Sequence, residues 1–173
     1  MSIKDWLRSR SLKKNRSAVP TGILPLGRVR TALVLVDVED PSFDECKVAI
    51  QNFYRQNGIK GEIFFLDERK LIESERLITS ITNTVLRKDI DSLGRPSKEK
   101  IDLINSLDAD MLISLVDRDD FTLEYLCACC NARFKIGRRA LPGDVLDMVF
   151  SGEEGASQLD IFNSIIPWLQ KIS

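Results

Sequence analysis

Two stretches, Ala109-Asp-Met-Leu-Ile-Ser-Leu-Val-Asp117 and Asn131-Ala-Arg-Phe-Lys-Ile-Gly137, flank a segment of helical composition, Phe121 to Asn131. An apolar run, a helix and a second short apolar run ending in glycine is the pattern of two parallel strands. Such a pair needs a long crossover between its members, most often a helix. The same alternation recurs on either side. Thr31 to Val38 is rich in Val and Leu without strict alternation, as expected of a strand buried on both faces. Asp40-Pro41 then opens a helix, with the carboxylate at the N-cap and proline at the first helical position. Phe43, Cys46, Ile50, Phe53 and Tyr54 follow at helical spacing, and Gly58 suits a left-handed residue after the last turn.

Further along, Gly61 to Leu66 reads as the second strand and residues 67–76 as a short helix around Leu71 and Ile72. Thr79 to Leu86 reads as a polar strand at a sheet edge. Gly94-Arg-Pro-Ser97 is a turn opening a helix to Leu107, and Met111 to Val116 is a central strand. Beyond the short strand Phe134 to Ile136 come a basic loop, Gly137 to Gly143, and a last strand, Val145 to Phe150. Ser157 with Asp160 forms an approximate capping box for the final helix. Pro167 lies inside that helix and is expected to kink it, because proline loses a backbone hydrogen bond there. Strands alternating with helices predict a three-layer, Rossmann-like doubly wound α/β domain with a mostly parallel sheet. Residues 31–173 form that single domain. Residues 1–30 form a basic N-terminal arm: a helix over 1–16, with Ile3, Trp6 and Leu7 on one face, and a linker holding Pro20, Gly22, Pro25 and Gly27.

Composition narrows the chemistry. The 173 residues are 29% charged and 43% hydrophobic, ordinary for a globular chain that buries one core. No apolar run reaches bilayer-spanning length, and the basic N-terminus lacks the apolar segment of a secretory signal, so a cytoplasmic protein is expected. Histidine is absent. That excludes Ser-His and Cys-His catalysis, mixed Cys/His zinc sites and imidazole pH switches for this chain acting alone. Of the four cysteines, Cys127, Cys129 and Cys130 stand too close for an ordinary disulfide framework. The Cys127-Ala-Cys-Cys130 run falls two turns into its helix, away from the N-terminal dipole that activates a thiol, so small buried core residues are expected there.

Charge is unevenly placed. Residues 1–30 hold eight Lys or Arg against one acid, Asp5, while the remainder holds seventeen bases and twenty-five acids. A basic arm on an acidic body suggests an anionic partner for the arm. Arg8, Arg10, Lys13, Lys14 and Arg16, with Trp6 and Leu7 beside them, suit an anionic lipid surface or nucleic-acid phosphates. The plainer alternative is a solvated helix whose Trp6 face packs on its own domain.

A doubly wound sheet binds ligands outside the carboxyl ends of its strands, near the switch in strand order. Four loops converge there, contributing Asp37, Glu39 and Asp40; Asp67 and Glu68; Asp117 to Asp120; and Arg138 and Arg139. Clustered carboxylates suit Mg²⁺, and neighbouring arginines suit phosphate. The competing account is that the acids cap helices, as Asp40 and Asp120 are placed to do. Asp37, Asp67 and Asp117 fit capping least well. No phosphate-binding glycine fingerprint follows the first strand, where Val38-Glu39-Asp40-Pro41 stands instead. Dinucleotide binding of the usual kind, and with it any predicted organic cofactor, is disfavoured.

The Ala109-Asp-Met-Leu-Ile-Ser-Leu and Asn131-Ala-Arg-Phe-Lys-Ile-Gly137 motifs, the Gly94-Arg-Pro turn and Asp147-Met-Val149 together resemble a family of small Bacteroidetes proteins of unknown function. The likeness covers most of the chain. The same layout is distantly similar to the N-terminal Rossmann-like half of heptosyltransferase-type glycosyltransferases. That family's nucleotide-sugar pocket lies largely in a second half, which this chain is expected to lack, and its glycine-containing loop after the first strand is missing here. The resemblance implies fold and carries over no catalytic residue. The expected function is therefore a non-catalytic Rossmann-like binding domain, meeting a protein partner or an anionic surface through its arm. The alternative is a small Mg²⁺-dependent enzyme or a nucleotide or nucleotide-sugar binder using Asp37, Asp67 and Asp117.

Overall fold

The computed structural model describes residues 1–70 and 79–172. Its described strands are β1 (Thr31–Asp37), β2 (Lys60–Asp67), β3 (Thr84–Leu86), β4 (Met111–Ser114), β5 (Phe134–Gly137) and β6 (Met148–Val149). They form one sheet in the order β3-β2-β1-β4-β5-β6 with every pairing parallel. This is the doubly wound order, and it reverses direction between β1 and β4. The described α-helices are α1 (Ile3–Asn15), α2 (Phe43–Asn57), α3 (Lys98–Ser106), α4 (Phe121–Cys129) and α5 (Gln158–Lys171).

Alternation along β1 divides the core. Ala32, Val34 and Val36 pack with Phe43, Ile50, Phe53, Phe162, Ile165 and Leu169 of α2 and α5. Leu33 and Leu35 point to the other face, against Ile104 of α3 and Leu123, Leu126 and Cys127 of α4. A strand covered on both sides gains nothing from polar residues, hence the unbroken Ala-Leu-Val-Leu-Val run. Gly58 closes α2 at φ +61°, the left-handed conformation that glycine adopts without a Cβ penalty. At Gly61 a Cβ would stand 2.3 Å from the Tyr54 ring, whose hydroxyl donates to the Glu62 carbonyl at 2.8 Å.

Several local expectations are corrected. The polar strand Thr79 to Leu86 shrinks to Thr84–Leu86, although it does lie at the sheet edge. The Thr84 hydroxyl bonds to the Ser80 carbonyl and shares a 2.7 Å hydrogen bond with Thr79, so local side-chain bonding displaces the ladder. The last strand is two residues long, because the Asp147 carboxylate accepts from the Lys135 N–H at 2.8 Å. Asp40 does not cap α2. Ser42 stands at that N-cap, and Asp40 folds into a turn, accepting from the Ser42 N–H and hydroxyl. Asp120 caps α4 through the Leu123 N–H, and the Ser157–Asp160 capping box of α5 is complete. Helix α5 continues through Pro167 to Lys171. Of the short helix expected at 67–76, residues 71–76 lie outside the described residues. No described helix is long and apolar enough to cross a membrane.

Candidate functional site

β1 and β2 end in Asp37 and Asp67, and β4 runs out four residues before Arg118. The Arg118 side chain turns back across this edge and is mostly buried. Its Nε donates to Asp37 Oδ2 at 2.8 Å, Nη2 to Glu39 Oε2 at 3.2 Å, and Nη1 to Glu68 Oε2. One guanidinium thus serves three carboxylates from two loops, a use suited to its planar fork of donors. Burial works to lower the Arg118 pKa, but the hydrogen bond and charge of Asp37, with Glu68, outweigh it and hold the pKa above the ordinary value. Burial pushes the Glu68 carboxyl up, against the opposing pull of Arg118.

Gln158, the first residue of α5, inserts beside this cluster. Its Oε1 accepts from the Asp37 N–H at 2.6 Å and its Nε2 donates to the Asp37 carbonyl at 2.9 Å. The free N–H groups at the start of α5 are also taken: Gln158 N–H donates to Asp40 Oδ2 at 3.2 Å, and Leu159 N–H to Ser42 Oγ at 3.1 Å. A helix N-terminus is a natural anion site when its donors are open. Here the chain's own side chains fill it, and the first turn of α2 carries Asp44 and Glu45.

The other residues singled out from sequence are placed as separate pairs. Asp67 is buried and bound by Arg69 through Nε at 2.7 Å and Nη2 at 2.8 Å. That hydrogen bonding holds its carboxyl below the usual range. Asp117 pairs with Arg139 at 3.3 Å and Arg138 at 3.7 Å, and Arg139 also reaches Asp119 at 3.2 Å. Asp37, Asp67 and Asp117 therefore share the carboxyl edge, yet each answers to a different arginine. Among the described residues no group of three or more His, Cys, Asp or Glu is arranged to hold a metal ion. Sequence reasoning brought Arg118 to this edge with its loop but gave the arginine role to Arg138 and Arg139, and it missed Gln158 and Ser42; the signal for Arg118 was one cation inside the acidic Asp117-Arg-Asp-Asp120 run.

The basic arm is folded onto the domain, but by the side opposite to the one its apolar spacing suggested. Ser11 is buried, and Leu12 packs against both the α3–α4 core and the Phe121–Tyr125 cluster. Arg8 donates to the Leu93 carbonyl at 2.7 Å and lies over the Phe121 ring, while Arg95 donates to Ser11 Oγ at 3.0 Å. Ser17 N–H then bonds to the Ala128 carbonyl at 2.9 Å. The Trp6 face is not the packed one. Ile3, Trp6 and Leu7 are 80%, 49% and 38% exposed. Arg10, Lys13 and Lys14 are exposed on the same side, Arg10 stacking on Trp6 at 5.3 Å. Arg16 is exposed beyond the end of the helix.

A family of unknown function, DUF6913, matches residues 2–171. The chain belongs to DUF6913. No curated protein and no solved structure matches it. The DUF6913 match runs from Ser2, the N-cap of α1, to Lys171, the last residue of α5, so the arm lies inside the stretch that defines the family.

The remaining chemistry-bearing residues of this DUF6913 chain serve the core. All four cysteines are free and buried. Burial pushes the thiols of Cys46 and Cys127 up to about 12 and that of Cys129 to about 11, which leaves them protonated and unreactive at neutral pH. Lys135 is buried with its Nζ donating to the Cys127 carbonyl at 2.8 Å, and desolvation lowers its pKa. A cleft of about 750 Å³ lies away from the carboxyl edge, between the end of α1, α3 and α4, with Arg16, Lys88, Asp91 and Tyr125 in its lining.

Proposed function

We propose that this chain is a non-catalytic Rossmann-like binding module that meets an anionic surface through α1. The observation that carries the reading is the way α1 is mounted. It gives Ser11, Leu12 and Arg8 to the domain and keeps Arg10, Lys13 and Lys14 outward, with no carboxylate among the described residues paired to them. The state of the carboxyl edge supports the non-catalytic half of the reading. Where a doubly wound sheet ordinarily takes its ligand, Arg118, Gln158 and their partners satisfy one another. A cytoplasmic location accompanies the proposal, supported by four buried thiols without disulfides. The likeness to heptosyltransferase-type enzymes supports the fold and lends no activity.

The test is retention on an anionic matrix such as heparin. Arg10→Gln, Lys13→Gln and Lys14→Gln together are expected to abolish retention with the melting temperature unchanged. Retention that survives this variant refutes the reading. Deleting residues 1–16 is a poor substitute, because it strips Leu12 and Ser11 from the core and lowers stability whatever the arm binds.

A second reading, a Mg²⁺-dependent enzyme or nucleotide binder, is favoured by one observation: Asp37, Asp67 and Asp117 sit on one edge of the sheet, at or just beyond the ends of β1, β2 and β4. It requires Mg²⁺ or nucleotide to displace arginine from at least two of them. A thermal shift with Mg²⁺, nucleoside triphosphates or nucleotide sugars that Asp37→Asn removes supports it, and no shift with any of them ends it.

A further inference from the structure

We propose that the outward face of α1 is a lipid-binding edge that seats on bilayers rich in anionic phospholipid headgroups. Ile3, Trp6 and Leu7 enter the boundary between headgroups and acyl chains, and Arg10, Lys13 and Lys14 lie on the phosphates. The inference rests on the reading that α1 meets an anionic surface, and it specifies which kind.

Helical geometry places Ile3, Leu7, Arg10 and Lys14 along one stripe, flanked by Trp6 and Lys13. The stripe is divided along its length, apolar in the first half and cationic in the second. Three large apolar side chains stay in water while Ser11 takes a buried place on the same helix. Packing therefore does not account for Ile3, Trp6 and Leu7, and an exposed apolar group of this kind marks an interaction surface. Polynucleotide phosphates would reward the three cations, but bases gain from aromatic platforms and not from Ile3 or Leu7. Trp6 already carries the Arg10 guanidinium on its ring. Trp, Leu and Ile beside Lys and Arg on an exposed helix is instead the composition of an interfacial helix.

Shape and field agree with this assignment. Ile3, Trp6, Leu7, Arg10, Lys13 and Lys14 are all exposed along one outer side of a single helix, which suits a flat surface. Asp5, the one acid of α1, is held in the capping box with Ser2 and lies off the stripe. The seventeen bases and twenty-five acids of residues 31–173 are repelled as a body from an anionic bilayer, which orients the molecule with α1 toward it.

The experiment is co-sedimentation of the full chain with vesicles of equal parts phosphatidylcholine and phosphatidylglycerol, with pure phosphatidylcholine vesicles, and with poly(U) RNA in a separate binding assay. Binding is expected to the anionic vesicles alone and to weaken with salt. It should come with a blue shift in emission that Trp6→Ser removes, leaving the signal of Trp168. Combined Ile3→Ser, Trp6→Ser and Leu7→Ser, and separately Arg10→Gln, Lys13→Gln and Lys14→Gln, are expected to weaken binding without changing the melting temperature. At about fivefold per cation, the charge variant loses on the order of a hundredfold. Vesicle binding indifferent to the apolar triple substitution overturns the lipid assignment. So does binding to poly(U) without binding to vesicles, although the anionic-surface reading then stands. Binding to neither removes both.

Discussion

At the carboxyl edge of the sheet the charges are matched to one another, whereas along α1 the outward cations meet, among the described residues, only a tryptophan ring. Both regions are rich in charge, but the edge mixes Asp, Glu and Arg whereas the outward face of α1 holds Arg and Lys alone. Geometry adds to the difference. Loops that leave neighbouring parallel strands converge, so one guanidinium reaches three carboxylates. The outer side of a surface helix points away from the other described residues of its own chain. A charged residue in the first setting belongs to the fold, and in the second it is available to a partner.

The largest effect expected from breaking this contrast is at Arg118. Arg118→Met strands Asp37, Glu39 and Glu68 without their shared cation and should cost about 3 kcal/mol, seen as a melting temperature lower by roughly 6–12 °C. A loss within experimental error would mean that the edge is not self-satisfied. Gln158→Ala comes next. It removes both bonds to the Asp37 backbone and should cost about 2 kcal/mol in urea denaturation.

The carboxylates of the adjacent residues Asp67 and Glu68 sharpen the comparison through pH. The Asp67 pKa is lowered, so its contribution is present above the ordinary carboxylate value of 3.8 and lost as pH falls through its folded value. The Glu68 pKa is raised, so its ionisation detracts from stability as pH rises from the ordinary 4.5. Urea midpoints between about pH 3 and 7 should therefore fall less toward acid in Asp67→Asn than in the parent chain, and rise more toward neutrality in Glu68→Gln. Identical pH profiles for the two variants would contradict the opposite environments. The smallest effect belongs to α1: joint Arg10→Gln, Lys13→Gln and Lys14→Gln should change stability by no more than about 0.5 kcal/mol.

The strands of the core and their order class were legible because a parallel strand buried on both faces writes itself as an apolar run, as Ala32 to Val36 does. Asp120, Gly58 and Ser157 were legible because capping is local chemistry. What failed was decided by particular side-chain partners, some of them far along the chain. Asp40 has the sequence context of an N-cap for α2, yet its carboxylate meets the N–H of Gln158. Thr79 to Leu86 has strand composition, but the Thr84 hydroxyl prefers Ser80. Periodicity found the Ile3–Trp6–Leu7 stripe, but no rule of spacing says which side of a helix its own domain will claim. That residues 37, 39, 68 and 118 meet at the carboxyl edge was legible from the alternation of strands and helices, but not that one guanidinium would bind all three carboxylates.

The Gln158 amide completes the backbone of Asp37 across a separation of 121 residues in the chain. During synthesis β1 leaves the ribosome well before Gln158, the residue that finishes its end. Until α5 arrives, the peptide groups at Asp37 are left to water or to whatever chaperone is near. The rim of the sheet is thus completed only once α5 has been made, at the edge where such sheets ordinarily bind ligands.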